Sequence, residues 1–487
     1  FCQLCGFQKS FSVNLKEAYS PEKFRQEAHQ LVDTLADYLH AAQSQQLETV
    51  IPYQLPEDNL RFWQDDLQQG IGESTALFEE IIRRSTHLHH PRYMGHQVSP
   101  PLPIAALAGL LTGMLNNGMA VYEMGLVSNP LERILSDLLS EKIGFTSQSS
   151  GLLTSGGTLA NLTALLSARA AKAPTDVWEE GTRERLAVMV SEEAHYCIDR
   201  AARIMGMGSE GIIKIPTNAR FQMRTELLEQ YYQNAQEAGL TVIAVIGSAC
   251  STSTGSYDDL ISIGNFCRQH NLWFHVDGAH GGAVVFSEKY KLLVKGIELA
   301  DSVVIDWHKM LMTPALATAL IFKNGEDSFQ TFHQKAQYLW ANQGSHEWFN
   351  SGKRTFECTK LMMSVKIYSI LKTCGEEIFS ENIDTLHDLA KAFVEILNRS
   401  PAFELAIEPE SNIVCFRFVG EGGNSENYNM LNAAIRQKLL EEGRFYIVQT
   451  TLREKLYLRV SLMNPLTTVK DLRALLEEVE KIAKQLG

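Results

Sequence analysis

TVIAVIGSACSTSTGSYDDLISIGNFCRQHNLWFHVDGAHGG (241–282) decides the fold. It opens on a continuous apolar run, TVIAVIGS (241–248). It continues through an amphipathic stretch, DLISIGNFCRQH (259–270), and returns to a second apolar run, LWFHVD (272–277). Apolar strands without polar alternation, separated by a helical pattern, are strands buried on both faces of a mainly parallel sheet. The same texture extends outward over about 87–375. LAVMVS (186–191), DSVVID (301–306) and TALIF (318–322) are further strand candidates, and NLTALLSARAAK (161–172) is a helix candidate. In such sheets ligands gather beyond the carboxyl ends of the strands.

Flanking this core are two smaller sections. PEKFRQEAHQLVDTLADYLHAA (21–42) spaces Phe24, Ala28, Leu31, Leu35 and Tyr38 as one helical face, with Ser20 as cap and Pro21 in the first turn. Helical segments follow at about 57–69 and 75–86. After about 376 come helices at 381–398, 426–442 and 469–486 and strands at 412–418, 446–450 and 456–462, so the expected division is 1–86, 87–375 and 376–487.

The 487 residues are 45% hydrophobic and 21% charged, an ordinary globular composition. At about 150 residues per domain, that length suggests two or three domains. The net charge of −13 disfavours a nucleic-acid or anionic-membrane partner. No stretch reaches the ~18 uninterrupted apolar residues of a membrane span. The richest, Ile104 to Met119, is broken by Asn116-Asn117 and is expected as a buried helix. Eight cysteines are too few for a disulfide scaffold, and Cys2-x-x-Cys5 has no second pair to complete a metal site. With no signal peptide in view, a reducing cytoplasm is expected and no metal is assigned.

Chemistry is suggested at several strand ends. Asp277 closes one apolar run and Lys309, in DWHK (306–309), follows another. A buried lysine near a carboxylate is costly unless paired or chemically employed, for instance as a Schiff base, and burial lowers its pKa and assists attack. The pair taken alone also fits a surface salt bridge. LTSGGT (153–158) opens a helix near Leu159 and offers free N–H groups to a phosphate, or is simply a glycine-rich turn. His195 follows a strand, where it stacks on a planar ligand or serves structure alone. STST (251–254) offers a hydroxyl to a ring or caps a turn.

SGGTLANLTALLSAR (155–169), SEEAHYCIDRAARIMGMG (191–208), STSTGSYDDL (251–260), HVDGAHGG (275–282) and ADSVVIDWHKM (300–310) together resemble the group II pyridoxal 5′-phosphate-dependent amino-acid decarboxylases. The family includes glutamate, cysteine-sulfinate, 2,4-diaminobutyrate and aromatic-L-amino-acid decarboxylases, and the resemblance covers about 20–480. It implies the aspartate-aminotransferase-like fold type I, an α/β architecture with a helical N-terminal arm and a small C-terminal α/β domain. It implies a homodimer with active sites at the interface, the arm around Leu31, Leu35 and Tyr38 being a candidate dimer surface.

The resemblance also implies roles. Lys309 matches the Schiff-base lysine, Asp277 the partner of the pyridine nitrogen, His195 the residue stacked on the ring and Ala279 the small residue opposite. Thr252 matches the threonine near the phenolic oxygen. Gly156, Gly157, Thr158 and His308 match phosphate-side positions. HPRY (90–93) matches the segment lining the substrate pocket, which makes His96 and Gln97 substrate-side candidates. Tyr338, in QKAQYLW, matches the tyrosine that protonates Cα from a closing loop, and Arg459, in YLRVS, the arginine that pairs with the substrate carboxylate. An aromatic anchor and an ordinary ion pair are the plain alternatives for these two. Two features depart from the pattern: Asp-Trp-His-Lys stands where the aromatic and mammalian glutamate enzymes have Asn-Pro-His-Lys, an acid there resembling the bacterial diaminobutyrate-like branch, and RYMGHQVSPP (92–101) lacks the aromatic pair usual in the aromatic branch. Both point to a short acidic or diamino acid. Decarboxylation of an aromatic amino acid and transamination on the same fold are the alternatives.

Overall fold

The computed structural model describes residues 14–332, 347–420 and 428–486. Cys2, Cys5 and Tyr338 lie outside the described residues. The chain forms two compact units: Gln97–Glu395 with Leu405–Cys415, and Phe1–His96 with Ile396–Glu404 and Phe416–Gly487.

The larger unit is built on a seven-stranded sheet. Its strands are β1 (Ser150–Thr154), β2 (Leu186–Ser191), β3 (Ile212–Ile215), β4 (Thr241–Ser248), β5 (Trp273–Asp277), β6 (Ser302–Asp306) and β7 (Thr318–Phe322). The spatial order is β1-β7-β6-β5-β4-β2-β3. β3, β2, β4, β5 and β6 pair in parallel, and β7 is antiparallel to both β6 and β1. The reversal has a local cause. Residues 307–317 join β6 to β7 without a crossover helix, and a short connection returns a strand antiparallel to its predecessor. Lys309 sits in this connection.

β1, β2, β4, β6 and β7 are buried almost without break, which explains their unalternating apolar sequences. Against one face pack Ala160, Ala164, Leu165 and Ala168 of helix Gly157–Lys172, with Ile198, Ala201 and Ala202 of helix Tyr196–Ile204. Small alanines let these helices approach the sheet closely, so their first turns stand at the strand ends. The register pairs Ser248 with Asp277 and Asp277 with Val304, which brings the ends of β4, β5 and β6 together.

Helix Pro103–Leu115 differs from the buried helix expected over 104–119. Only Ala105 and Ala108 are buried, whereas Leu107, Leu111 and Met114 are 52%, 52% and 63% exposed. Hydrophobicity on every side predicts burial but does not say what covers it.

The second sheet has β8 (Phe403–Leu405), β9 (Ile413–Phe418), β10 (Val448–Leu452) and β11 (Lys455–Ser461), ordered β10-β11-β9-β8. Arg453 and Glu454, both at positive φ, make the tight turn joining β10 to β11. Helix Pro21–Gln43 starts as the sequence indicates, with Ser20 Oγ accepting from the Lys23 N–H and Pro21 in the first turn. The arm is tied to the chain's other end. Val50 N–H donates to the Gly443 carbonyl at 2.7 Å, and Gln45 Nε2 to Asp471 Oδ1 at 3.0 Å. The compact units are therefore cut differently from the expected 1–86, 87–375 and 376–487, because the two chain ends pack as one body.

Candidate active site

The carboxyl ends of the parallel strands surround a cavity of about 310 Å³. Its wall includes Gly156, Gly157, Thr158, His195, Thr252, Asp277, Ala279, His308 and Lys309, all nine cofactor-side positions singled out in the sequence, together with Gln97.

Beyond β1 the chain turns at Gly156, whose φ of +122° excludes other residue types at low cost. Helix Gly157–Lys172 begins there with no side chain capping its first turn. Unsatisfied N–H groups and the positive end of the helix dipole suit an anion. Asn161, one turn on, donates from Nδ2 to the Gly157 carbonyl at 2.9 Å, and its Oδ1 lies 2.8 Å from His275 Nε2. Burial pushes His275 down to about 4. The neutral ring therefore donates from Nε2 to Asn161, and its Nδ1 accepts from Ser302 Oγ at 2.8 Å. Sequence reading passed over Asn161 and His275. The i, i+4 spacing of Asn161 from Gly157 is the signal that could have found the first.

His195 caps helix Tyr196–Ile204, its Nδ1 accepting from the Cys197 N–H at 3.3 Å. Burial lowers its pKa, partly opposed by the Asp277 carboxylate, so the imidazole is neutral and offers an uncharged face. At the end of β4, Asp258 accepts from the Ser248 and Met223 N–H groups at 2.8 and 2.7 Å and fixes the start of the segment carrying Cys250 and Thr252. Asp277, half-buried at the end of β5, accepts from the Ala279 N–H at 3.2 Å.

At the end of β6, Asp306 is 2% exposed. The Thr318 hydroxyl donates to its Oδ1, Lys309 Nζ lies 2.9 Å from its Oδ2, and His308 Nε2 lies 3.7 Å from the same oxygen. The connection itself is pinned, since Ser99 Oγ donates to the Lys309 carbonyl at 2.6 Å and Asn382 Nδ2 to that of Met310 at 2.8 Å. The expectation that burial lowers the Lys309 pKa is corrected here. Burial does pull it down, but the adjoining Asp306 carboxylate, with Asp277 behind it, outweighs that and leaves it raised. Sequence analysis used Asp306 as a mark of substrate branch, whereas the structure gives its carboxylate to Lys309 and Thr318.

Gln97 enters the wall with its Nε2 buried and unpartnered among the described residues. His96 and Arg459 belong to the smaller unit. There Met94 bridges two segments, donating to the Tyr446 carbonyl and accepting from the Ser461 N–H, each at 2.9 Å. The His96 ring stands 5.9 Å from that of Tyr446, and Arg459 is a buried residue of β11.

A family model described as the pyridoxal-dependent decarboxylase conserved domain matches residues 53–419. An L-2,4-diaminobutyrate decarboxylase of Acinetobacter baumannii is 28% identical over 437 residues, covering 86% of each chain. An aromatic-L-amino-acid decarboxylase of Bacillus atrophaeus is 25% identical, covering 96% of this chain and 97% of its own. The crystal structure of mouse CSAD in apo form superimposes with a TM-score of 0.88 at 25% identity, covering 95% of this chain and 99% of its own.

Proposed function

Because the chain belongs to the pyridoxal-dependent decarboxylases and is an amino-acid carboxy-lyase working with pyridoxal 5′-phosphate, we propose that the strand-end cavity is its active site. The observation that carries this reading is the meeting, at one sheet end, of an uncapped helix start, a neutral His195, the Asp277 carboxylate and Lys309. These groups match the cofactor's phosphate, ring face, pyridine nitrogen and aldehyde in turn.

Bound there, pyridoxal 5′-phosphate supplies an aldehyde and an electron-poor ring that accepts the electron pair left by departing CO₂. Lys309 would hold the aldehyde end and give it up to the substrate amine. Gly156, Gly157, Thr158 and His308 hold the phosphate end. Asp277 would keep the pyridine nitrogen protonated, His195 and Ala279 would line the ring's faces, and Thr252 would serve its phenolic oxygen. Arg459 receives the substrate carboxylate, and Tyr338 delivers the proton to Cα. Product analysis tests the reaction: CO₂ with a primary amine supports it, and a keto acid would indicate transamination. Tyr338→Phe is expected to release CO₂ but to misdirect the proton, giving aldehyde by-products.

For the substrate we propose a short acidic or diamino acid. The support, for the acidic half of that class, is Gln97, whose buried amide donor asks for an acceptor that a side-chain carboxylate supplies and an ammonium or apolar side chain lacks. A site with such a group discriminates strongly against analogues that cannot satisfy it. Decarboxylation of an aromatic amino acid is the second reading, favoured by the aromatic relative matching 96% of the chain. A kcat/KM panel of glutamate, aspartate, cysteine sulfinate, 2,4-diaminobutyrate and L-DOPA decides between them, and Gln97→Leu is expected to narrow any polar preference.

A second copy of the chain is the proposed cover for Leu107, Leu111 and Met114, an apolar row too exposed for an isolated chain. Light scattering should give twice the chain mass. A cytoplasmic site of action is in keeping with the described cysteines, none of which is in a disulfide. No helix among the described residues is long and apolar enough to cross a membrane.

A further inference from the structure

Lys309 poses a chemical difficulty. Its ammonium is held 2.9 Å from Asp306 Oδ2 and its pKa is raised, yet only the free amine attacks an aldehyde. Something must take the proton inside a cavity where the lysine side chain is only 19% exposed.

We propose that Asp306 is the general base and then the general acid through which Lys309 forms and breaks its bond to the cofactor aldehyde. The proposal rests on the reading of Lys309 as the residue that bonds to that aldehyde. Three features of the geometry support it. Oδ2 is in hydrogen-bond contact with the reacting nitrogen, Oδ1 is anchored by the Thr318 hydroxyl, and Thr318 faces Asp306 directly in the β6–β7 register. The carboxylate is thus aimed, not swinging.

The step balances. Lys309 gives one proton to Asp306 and its amine attacks the aldehyde carbon, a proton from nitrogen passing to the carbonyl oxygen. That oxygen leaves as water with the proton Asp306 held. A protonated carbon–nitrogen double bond remains beside a restored carboxylate, and no outside proton is consumed. While the bond stands, Lys309 offers Asp306 a single N–H, and His308 Nε2 stands 3.7 Å from Oδ2.

The other groups around the pair do not replace it. His280 is pushed down to about 3 and Cys250 up to about 12 by burial, so both are uncharged near neutrality. The Cys197 thiol is raised by burial and His195 is lowered. Asp277 adds its field to Lys309, but it is occupied by the Ala279 N–H and, in this reading, by the pyridine nitrogen. Asp306 is the acid–base group in contact with Nζ.

The test is stopped-flow capture of pyridoxal 5′-phosphate by apoenzyme, followed by borohydride reduction and peptide mapping. Asp306→Asn should slow capture about 100-fold at neutral pH. The ratio of the variant to the wild-type rate, which cancels the cofactor's own titrations, should climb as pH rises and solvent deprotonates the lysine. Equal rates at all pH, or faster capture by the variant, would overturn the proposal, because Asp306 would then only hold the ammonium in place. Should the variant not fold, wild-type apoenzyme decides against Nα-acetyl-lysine measured in parallel. The ratio of enzyme to model amine should fall about tenfold per pH unit over pH 6–9, since only the model amine must lose its proton to solvent. A constant ratio would overturn the proposal. A reduced adduct mapping away from Lys309 would instead overturn the functional reading beneath it.

Discussion

Two lysine–carboxylate pairs of the larger unit behave in opposite ways. Lys360 Nζ sits 2.7 Å from Glu132 and also donates to the Leu153 carbonyl at 2.8 Å, with side chains 2% and 8% exposed. Burial lowers its pKa, and Glu132 recovers only part of the loss. Lys309 sits 2.9 Å from Asp306, opens onto a cavity and has a raised pKa. The first pair is closed by a backbone carbonyl and has nowhere to go. The second has a partner that a hydroxyl holds in place and a lysine that can leave. On the role proposed for Lys309, a buried ion pair is a structural staple or a reactive device according to what surrounds it, not according to its own residues.

The largest effect should come from breaking the reactive pair on its nitrogen side. Lys309→Ala is expected to abolish covalent cofactor attachment and turnover, with no pyridoxyl group retained on the protein after borohydride reduction and dialysis, where the wild type keeps one. Its urea midpoint should move far less than that of Lys360→Ala. Next is the carboxylate proposed to serve the ring. Asp277→Ala should lose about 10³-fold in kcat and retain less cofactor, because a neutral pyridine accepts electrons poorly. Retention of wild-type kcat would move the pyridine partner elsewhere.

Much of this was legible in sequence, for a physical reason. β4 and β6 are buried on both faces, so their residues had to be apolar throughout, and the polar residues that follow them stood out at the strand ends. β3, four residues at the sheet edge with Lys214 in it, carries no such signal and was passed over, as was β1 in SGLLT. The antiparallel β7 was hidden because direction depends on how residues 307–317 turn, not on the composition of TALIF. The Asp306–Lys309 contact is three residues apart in sequence, but a helix, a turn or a strand would each place those side chains differently. Whether Lys309 gains or loses protons depends on a competition between burial and a carboxylate that composition cannot weigh. Arg459 and His96 were named by motif, and what the fold adds is their common membership of the smaller unit.

Breaking the structural pair is the next smaller effect on function and the largest on stability. Lys360→Met leaves Glu132 buried without its cation and should cost about 3–5 kcal/mol in urea denaturation of the apoenzyme. Adding Glu132→Leu should restore most of that, since an apolar pair of similar volume removes two desolvation penalties at once. Activity per folded molecule should change little in the double variant. A double variant as unstable as the single one would mean that the Leu153 carbonyl, not Glu132, is the partner that matters.

The smallest expected effect separates the two pairs by pH alone. The Lys309 pKa is raised in the folded state, so its stabilisation is complete below the unfolded lysine value, ~10.4, and is lost as pH climbs through the higher folded value. The Lys360 pKa is lowered, so the folded state sheds that proton first, and stability improves as pH rises from the folded value towards ~10.4. Each tenfold difference in proton affinity is worth about 1.4 kcal/mol. Urea melts of apoenzyme at pH 8–11, taken as wild type minus Lys309→Met and wild type minus Lys360→Met, should therefore diverge. The Lys309 difference stays flat and then falls above ~10.4, whereas the Lys360 difference rises below it. If both curves fell together, the lysines would be answering to alkaline denaturation in general, and the contrast between a reactive and a closed ion pair would lose its electrostatic basis.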